Sequence, residues 1–373
     1  MTALPFPPLD HLDRMTDSTG LIQHAIHGIP RRESGYTTDD NARALRLCAQ
    51  LWARDPGDRL LARVTRHLSF LEHARGSAHG FHNFLSYRRD WLDVLGTDDC
   101  QGQAVLALAE VLASPLPDGC HAVAGELIAS VLPALADMRS LRAQAYAIVA
   151  WGLLRSRGHA LAGGLEPVAR HAADRLVDCF NRSRRSDWTW FESRMTYANA
   201  VLPHALFVAG EGWPAGGYLA VAEASFAFLD QVTTVDGVFW PVGNDNWYAH
   251  GEEKAAYDQQ PVEASTMAEA ALAAVAATGD LRHMAAFRRA VAWFSGCNSL
   301  GLALGDPTTG GCFDGLTPTG VNRNQGAEST LAYLWTESLA ASVLRQADDA
   351  RPVVPRRPPP DQRRPPVASR TRH

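Results

Sequence analysis

Apolar residues recur at helical spacing along most of the chain, in blocks that open in two different ways. Ala42, Leu45, Ala49 and Leu51 follow Asp39-Asp40 and predict a helix to about Arg54. A second block starts near Arg59, after Pro56 and Gly57, and runs to Arg75, so the two form a hairpin. The alternation continues with 103–114 and 120–138, 143–156 and 167–180, 197–209 and 217–231, then 261–278 with a partner ending near 294. A last block spans 327–344. One helix of each pair opens on Asp, Glu, Gln and Asn; the other opens on an ordinary Pro or Gly turn.

The polar openings repeat about six times: Gly35-Tyr36-Thr37-Thr38-Asp39-Asp40-Asn41-Ala42-Arg43, Thr97 to Gln103, Arg139 to Gln144, Glu192 to Asn199, Asp258-Gln259-Gln260-Pro261-Val262-Glu263-Ala264, and Asn324-Gln325-Gly326-Ala327-Glu328-Ser329-Thr330. In the fifth, Asp258 stands where an N-cap belongs and Pro261 suits the first turn. Asp98 reads as a plain cap as well. Ala and Leu dominate the helices with little one-sided patterning, as expected of rods packed on several sides. If the polar-opened helices form the inside of a closed ring and the others return the chain outside, the result is an all-α (α/α)6 toroid. We expect it to occupy residues 1–346 as a single domain.

Between helices, 80–92 alternates aromatic and polar residues, which suits a long loop or a short β-ribbon across the end of the array. Residues 1–34 are rich in turn signals and concentrate Asp, Gln and His, as a segment lying over a site would. The Gly-rich stretch 295–324 is too long for filler. From 347 onward Pro and Arg dominate, and disorder is expected.

Composition narrows the function. The net charge is −5, and the tail from Ala347 holds seven Arg against three Asp, which leaves the remainder at about −9 and unsuited to general nucleic-acid binding. Six widely spaced cysteines form no C-x-x-C pair and read as free thiols. No signal-peptide pattern and no membrane-length apolar run occurs, so a soluble cytoplasmic protein is expected. Phosphate-loop and dinucleotide glycine motifs are missing, as is any metal-binding His or Cys spacing apart from the near miss His24-x-x-His27. No cofactor, no metal and no membrane partner are therefore expected.

Six helix starts converging on one mouth would gather carboxylates and aromatic loops around a concave site. A sugar suits such a site, offering an apolar C–H face to aromatic rings and hydroxyls to Asp, Asn, Gln and Arg. Glycoside hydrolysis requires two carboxyl groups about 5–10 Å apart. Asp40, Glu263 and Glu328 are the catalytic candidates, with Glu263 as acid and Asp40 or Glu328 as base. A helix N-terminus lowers a carboxyl pKa, so an acid there needs burial or a neighbouring carboxylate. Candidate sugar ligands are Tyr36, Asp39, His24, His82, Trp190, Glu192, Trp240, Asn246, Trp247, Asp258, Gln259, Gln260 and Asn324, with Trp91, Trp188 and Tyr248 among the aromatic walls. Each carboxylate could instead be an ordinary first-turn residue complementing the helix dipole.

Asp13-Arg14 through Gln23-His24-Ala25, the 35–45 and 258–264 motifs, Gly310-Gly311-Cys312-Phe313-Asp314-Gly315 and the 324–330 motif together resemble a bacterial family of six-hairpin, glycosidase-like proteins, over roughly residues 8 to 346. Members of that family occur alone or beside glycosyltransferases. The resemblance implies an oligosaccharide or glycoside ligand and a glycosyltransferase as partner, but carries over no catalytic pair. Two other outcomes follow from the same residues: a non-catalytic glycan-binding partner of a polysaccharide glycosyltransferase, or a sugar epimerase or isomerase using histidine.

Overall fold

A computed structural model describes residues 6–76 and 79–349 of the 373-residue chain. Residues 350–373, most of the tail assigned to disorder, lie outside the described residues. Within them run twelve α-helices: α1 (Asp10–Met15), α2 (Thr38–Arg54), α3 (Asp58–Ala74), α4 (Asp98–Ala113), α5 (Asp118–Leu135), α6 (Leu141–Ser156), α7 (Leu161–Ser183), α8 (Val201–Gly212), α9 (Tyr218–Val232), α10 (Pro261–Thr278), α11 (Met284–Phe294) and α12 (Ala327–Asp349).

Local chemistry sets where the inner helices begin. Thr37 caps α2 by accepting from the Asp40 amide, and Asp39 and Asp40 occupy the first turn against the positive end of the dipole. Thr97 caps α4 and Ser140 caps α6 in the same manner. Asp98 is therefore not the cap. Its carboxylate accepts from the amides of Arg139 (2.6 Å) and Ser140 (2.8 Å) and ties the start of α6 to the start of α4. Asp258 is not a cap either, because the chain is still extended two residues later at Gln260, the N-cap position before Pro261. Helix α7 begins at Leu161 rather than near Pro167. Its buried face, Leu165, Ala169, Ala172 and Leu176, runs unbroken past the proline and outweighs an interior-proline cost of about 3 kcal/mol.

The ring closes. Each of α2, α4, α6, α8, α10 and α12 packs on the next, and α12 returns to α2. Helices α3, α5, α7, α9 and α11 lie outside, each against the inner helix before it. The sixth outer place differs from the sequence expectation, since the short α1 packs on α12 and the sixth hairpin is shared between the two ends of the chain. Inner helix α4 is enclosed on every side: Ala104 through Ala109 are all buried. Close approach is required too, because a Cβ on Gly102 of α4 would come within 2.9 Å of the Ala143 Cα on α6.

All six inner helices start at one rim: cross-links join the starts of α4, α6, α8 and α10 and those of α2 and α12, and the starts of α2, α10 and α12 line one cavity. Ser140 donates to Asp99 (2.7 Å), the Tyr197 hydroxyl donates to Asp99, Glu263 accepts from the Ala198 amide, and Arg43 pairs with Glu328 (3.0 Å). Short antiparallel ribbons stitch the rim loops together: Tyr36–Thr37 with Phe84–Leu85, Arg194–Met195 with Tyr248–Ala249, and Gly315–Thr317 with Gly320–Asn322. The first satisfies the ribbon expected in 80–92. Among the described residues no helix is long and apolar enough to cross a membrane, and all six cysteines are free.

Candidate active site

Six helix starts on one rim place unpaired backbone amides and first-turn carboxylates around a single opening. A cavity of about 350 Å³ lies there, between the starts of α2, α10 and α12 and the loops carrying Gln23, His24, Asn244 and Asp314. Its wall includes Asp39, Asp40, Asp258, Gln260 and Glu328 from the predicted set.

Arg43 organises the floor. Its guanidinium lies 3.0 Å from Asp40 Oδ1, 3.0 Å from Glu328 Oε2 and 3.9 Å from Asp39 Oδ2. The pairing with α2's own carboxylates follows from three- and four-residue spacing on one helix face. Glu328 joins them because α12 closes the ring against α2. Burial alone would lower the Arg43 pKa; the charges of Glu328, Asp39 and Asp40 more than offset it and hold the group cationic.

Asp40 and Glu328 differ in environment. Asp40 is only 4 % exposed and accepts from the Thr37 hydroxyl at 2.8 Å. Burial, and then the neighbouring Asp39 charge, push its carboxyl up to about 7 against the pull of Arg43. Glu328 keeps 43 % of its side chain exposed and reaches into the opening.

Glu263 stands apart from this pair. It is buried, and it accepts from the Ala198 amide, the Asn199 amide (3.3 Å) and Asn199 Nδ2 (3.1 Å). Burial raises its carboxyl to about 7, while those donors favour the ionised form. Its neighbours form a second cluster on the α4–α6–α8 side of the rim. There Arg142 pairs with Glu192 (3.0 Å) and donates to Thr196 Oγ1 (2.7 Å) and to the Tyr197 carbonyl (2.5 Å).

Other predicted ligands sit elsewhere. Trp190 is 0 % exposed and packs edge-on against Phe191 in the core, and Trp188 is buried beside Phe228, so neither ring can meet a sugar. The two rings alternate with half-buried Thr189 in an irregular segment that turns both of them inward. Gln259 is fully buried, donates to the Ala256 carbonyl and Ser299, and accepts from Trp293 Nε1. Tyr36 is buried behind the wall, its hydroxyl on Asp17 Oδ2 at 2.6 Å. His82 stacks on Trp91 and bonds the Asp93 carbonyl. Asn324 accepts from the His27 amide, and Trp240 donates to the Ala256 carbonyl. Trp247 donates to Asn244 Oδ1 at 2.7 Å and so braces a wall residue, with exposed Asn246 in left-handed backbone beside it.

Sequence reasoning passed over Arg43, although its spacing from Asp39 and Asp40 was visible. It also missed Asn244, Asp314 and Asn322, whose loops carry no helical register to place them. No group of three or more His, Cys, Asp or Glu among the described residues is arranged to hold a metal ion.

Fold and rim together define an (α/α)6 toroid of the six-hairpin, glycosidase-like type with a carboxylate-bearing mouth. Solved structures of the same architecture include a cellobiose 2-epimerase from Bacillus thermoamylovorans (TM-score 0.67, 12 % identity, 90 % of this chain and 96 % of that one). A sugar epimerase from a ruminal bacterium (0.66, 12 %, 88 % and 94 %) and a GH76 α-mannanase from Bacteroides thetaiotaomicron (0.62, 9 %, 84 % and 88 %) share it as well. No family model matches this chain, and no curated protein sequence matches it. At these identities the likeness is one of fold.

Proposed function

We propose that this protein is a carbohydrate-active enzyme, a glycoside hydrolase that cleaves an oligosaccharide by carboxylate acid and base catalysis in the mouth of the toroid. One observation carries the reading: Asp40 and Glu328, far apart along the chain, meet on one guanidinium at the floor of a sugar-sized polar cavity. An oxygen of each carboxyl lies 3.0 Å from that cation, which brings the pair together on the scale of the roughly 5–10 Å separation that hydrolysis uses. Their surroundings also separate their roles. Asp40, buried and pushed up to about 7, is the general acid that protonates the leaving oxygen. Glu328, open to solvent, activates the attacking water or attacks the anomeric carbon itself.

This assignment moves the acid from Glu263 to Asp40, because the oxygens of Glu263 are already engaged by backbone and side-chain donors. Asp39, Asp258, Gln260 and His24 line the same cavity and offer partners to sugar hydroxyls.

Epimerisation or isomerisation is the second reading, favoured by the sugar epimerases and by the structure described as a D-mannose isomerase that share the fold (TM-score 0.62, 12 % identity for the latter). Among the described residues His24 is the one histidine lining the cavity, which favours carboxylate chemistry. Cellobiose and α-1,6-linked mannooligosaccharides, incubated with the protein in deuterated water, separate the readings. Hydrolysis releases new reducing ends; epimerisation puts deuterium on carbon without cleavage; binding with neither outcome supports a glycan-binding partner of a glycosyltransferase. Asp40→Asn and Glu328→Gln are each expected to lower turnover by about 10²- to 10⁴-fold with the melting temperature retained. Wild-type cleavage rates in both variants would remove the assignment.

A further inference from the structure

Tyr197 is exposed and yet anchored through both its hydroxyl and its carbonyl. It precedes α8, but its hydroxyl donates to Asp99 in the first turn of α4. Helices α4 and α8 are not neighbours in the ring, since α6 stands between them. The side chain therefore crosses above the start of α6, on the mouth side of the rim.

Its carbonyl accepts from Arg142 Nε, and the Arg142 guanidinium carbon lies 4.7 Å from the ring centroid. Arg142 is itself held by Glu192 and Thr196. The next residue, Ala198, adopts left-handed backbone (φ 45°), which costs a non-glycine residue of order 1–3 kcal/mol. Glu263 holds that turn by accepting from the Ala198 and Asn199 amides. With its hydroxyl tied and one face under Arg142, the ring still leaves 40 % of the residue exposed.

We propose that Tyr197 is an aromatic platform on which a sugar ring stacks, forming a second subsite on the α4–α6–α8 side of the mouth from Asp40 and Glu328. Asp99, Arg142 and Glu263 are its positioning residues. The inference rests on the carbohydrate reading of the site. An aromatic face fixed before the ligand arrives loses little side-chain freedom on binding, so its apolar contact is realised nearly in full.

The test is calorimetry in an Asp40→Asn background, which slows turnover, with mannose and glucose as single-ring probes and α-1,6-mannotriose and cellobiose as longer ones. Tyr197→Ala is expected to weaken binding of the longer probes about tenfold or more while single-ring affinity stays within about twofold. Tyr197→Phe keeps the ring, loses the Asp99 bond and is expected to recover most of the affinity. The proposal is overturned if Tyr197→Ala binds the longer probes like its parent, or if Ala and Phe lose affinity equally, which would make the hydroxyl tie the whole effect. Failure of the parent to bind any probe overturns the carbohydrate reading itself, a result distinct from failure of the platform alone.

Discussion

Asp40 is where burial outweighs pairing. A first-turn aspartate beside an arginine and a threonine hydroxyl would ordinarily titrate low, yet enclosure and the adjacent Asp39 carry it up to about 7. Because the folded value lies above the unfolded one, the native state holds an extra proton between roughly pH 4 and 7. Its contribution to stability is complete below the unfolded pKa and is lost as the pH rises through about 7. Activity is expected to follow the protonated form, falling on the alkaline side near pH 7. Asp39→Asn removes the largest charge acting on Asp40, so that limb is expected to move to lower pH; a pH–rate profile that does not move would separate Asp40 from the acid role. The adjacent Asp39-Asp40 pair was visible in the sequence, but its enclosure was not, because the cavity it lines is completed by α12 and the 314–322 loop, hundreds of residues away.

Among the elements, α8 shows how a helix start can serve the rim. Its polar opening, 192–199, does not run straight into the helix as the others do. It makes a left-handed turn at Ala198 instead, and Glu263 from α10 binds that turn. Glu263→Ala leaves the Ala198 and Asn199 donors without their buried acceptor, at about 1–3 kcal/mol for each group. Such a variant is expected to unfold at lower denaturant concentration, measurable by fluorescence, whereas Asp40→Asn is not. Equal stability of the two would mean that Glu263 is not holding the turn. Helix positions were legible because periodicity and capping depend on residues a turn or two apart. At α4 the cap went to Thr97 rather than Asp98, since neighbouring polar residues compete for one geometry and the tertiary partner of the loser breaks the tie: Asp98 is drawn to the amides at the start of α6.

Across the whole molecule, Arg46 links the ring at its axis. From α2 it donates to Glu269 of α10 (2.6 Å), lies 3.6 Å from Glu110 of α4 and stacks 4.0 Å from the Trp335 ring of α12. Beneath the floor of the mouth cavity this leaves a cavity of about 50 Å³, too small for a sugar to pass. Arg46→Ala strands two buried carboxylates and is expected to cost about 3–5 kcal/mol, while replacing Arg46, Glu110 and Glu269 together by apolar residues costs far less. Comparable losses from both in chemical unfolding would show that packing, rather than charge pairing, joins the ring there. The sequence by itself determined the alternation of rods and the polar starts of six of them, because helical period and end chemistry are written within a few residues. Tertiary structure alone decided that Asp40 and Glu328 share Arg43, that Glu263 is turned away to hold a loop and that α1 fills the sixth outer place. Those outcomes depend on how the last inner helix meets the first, and no local pattern carries that distance.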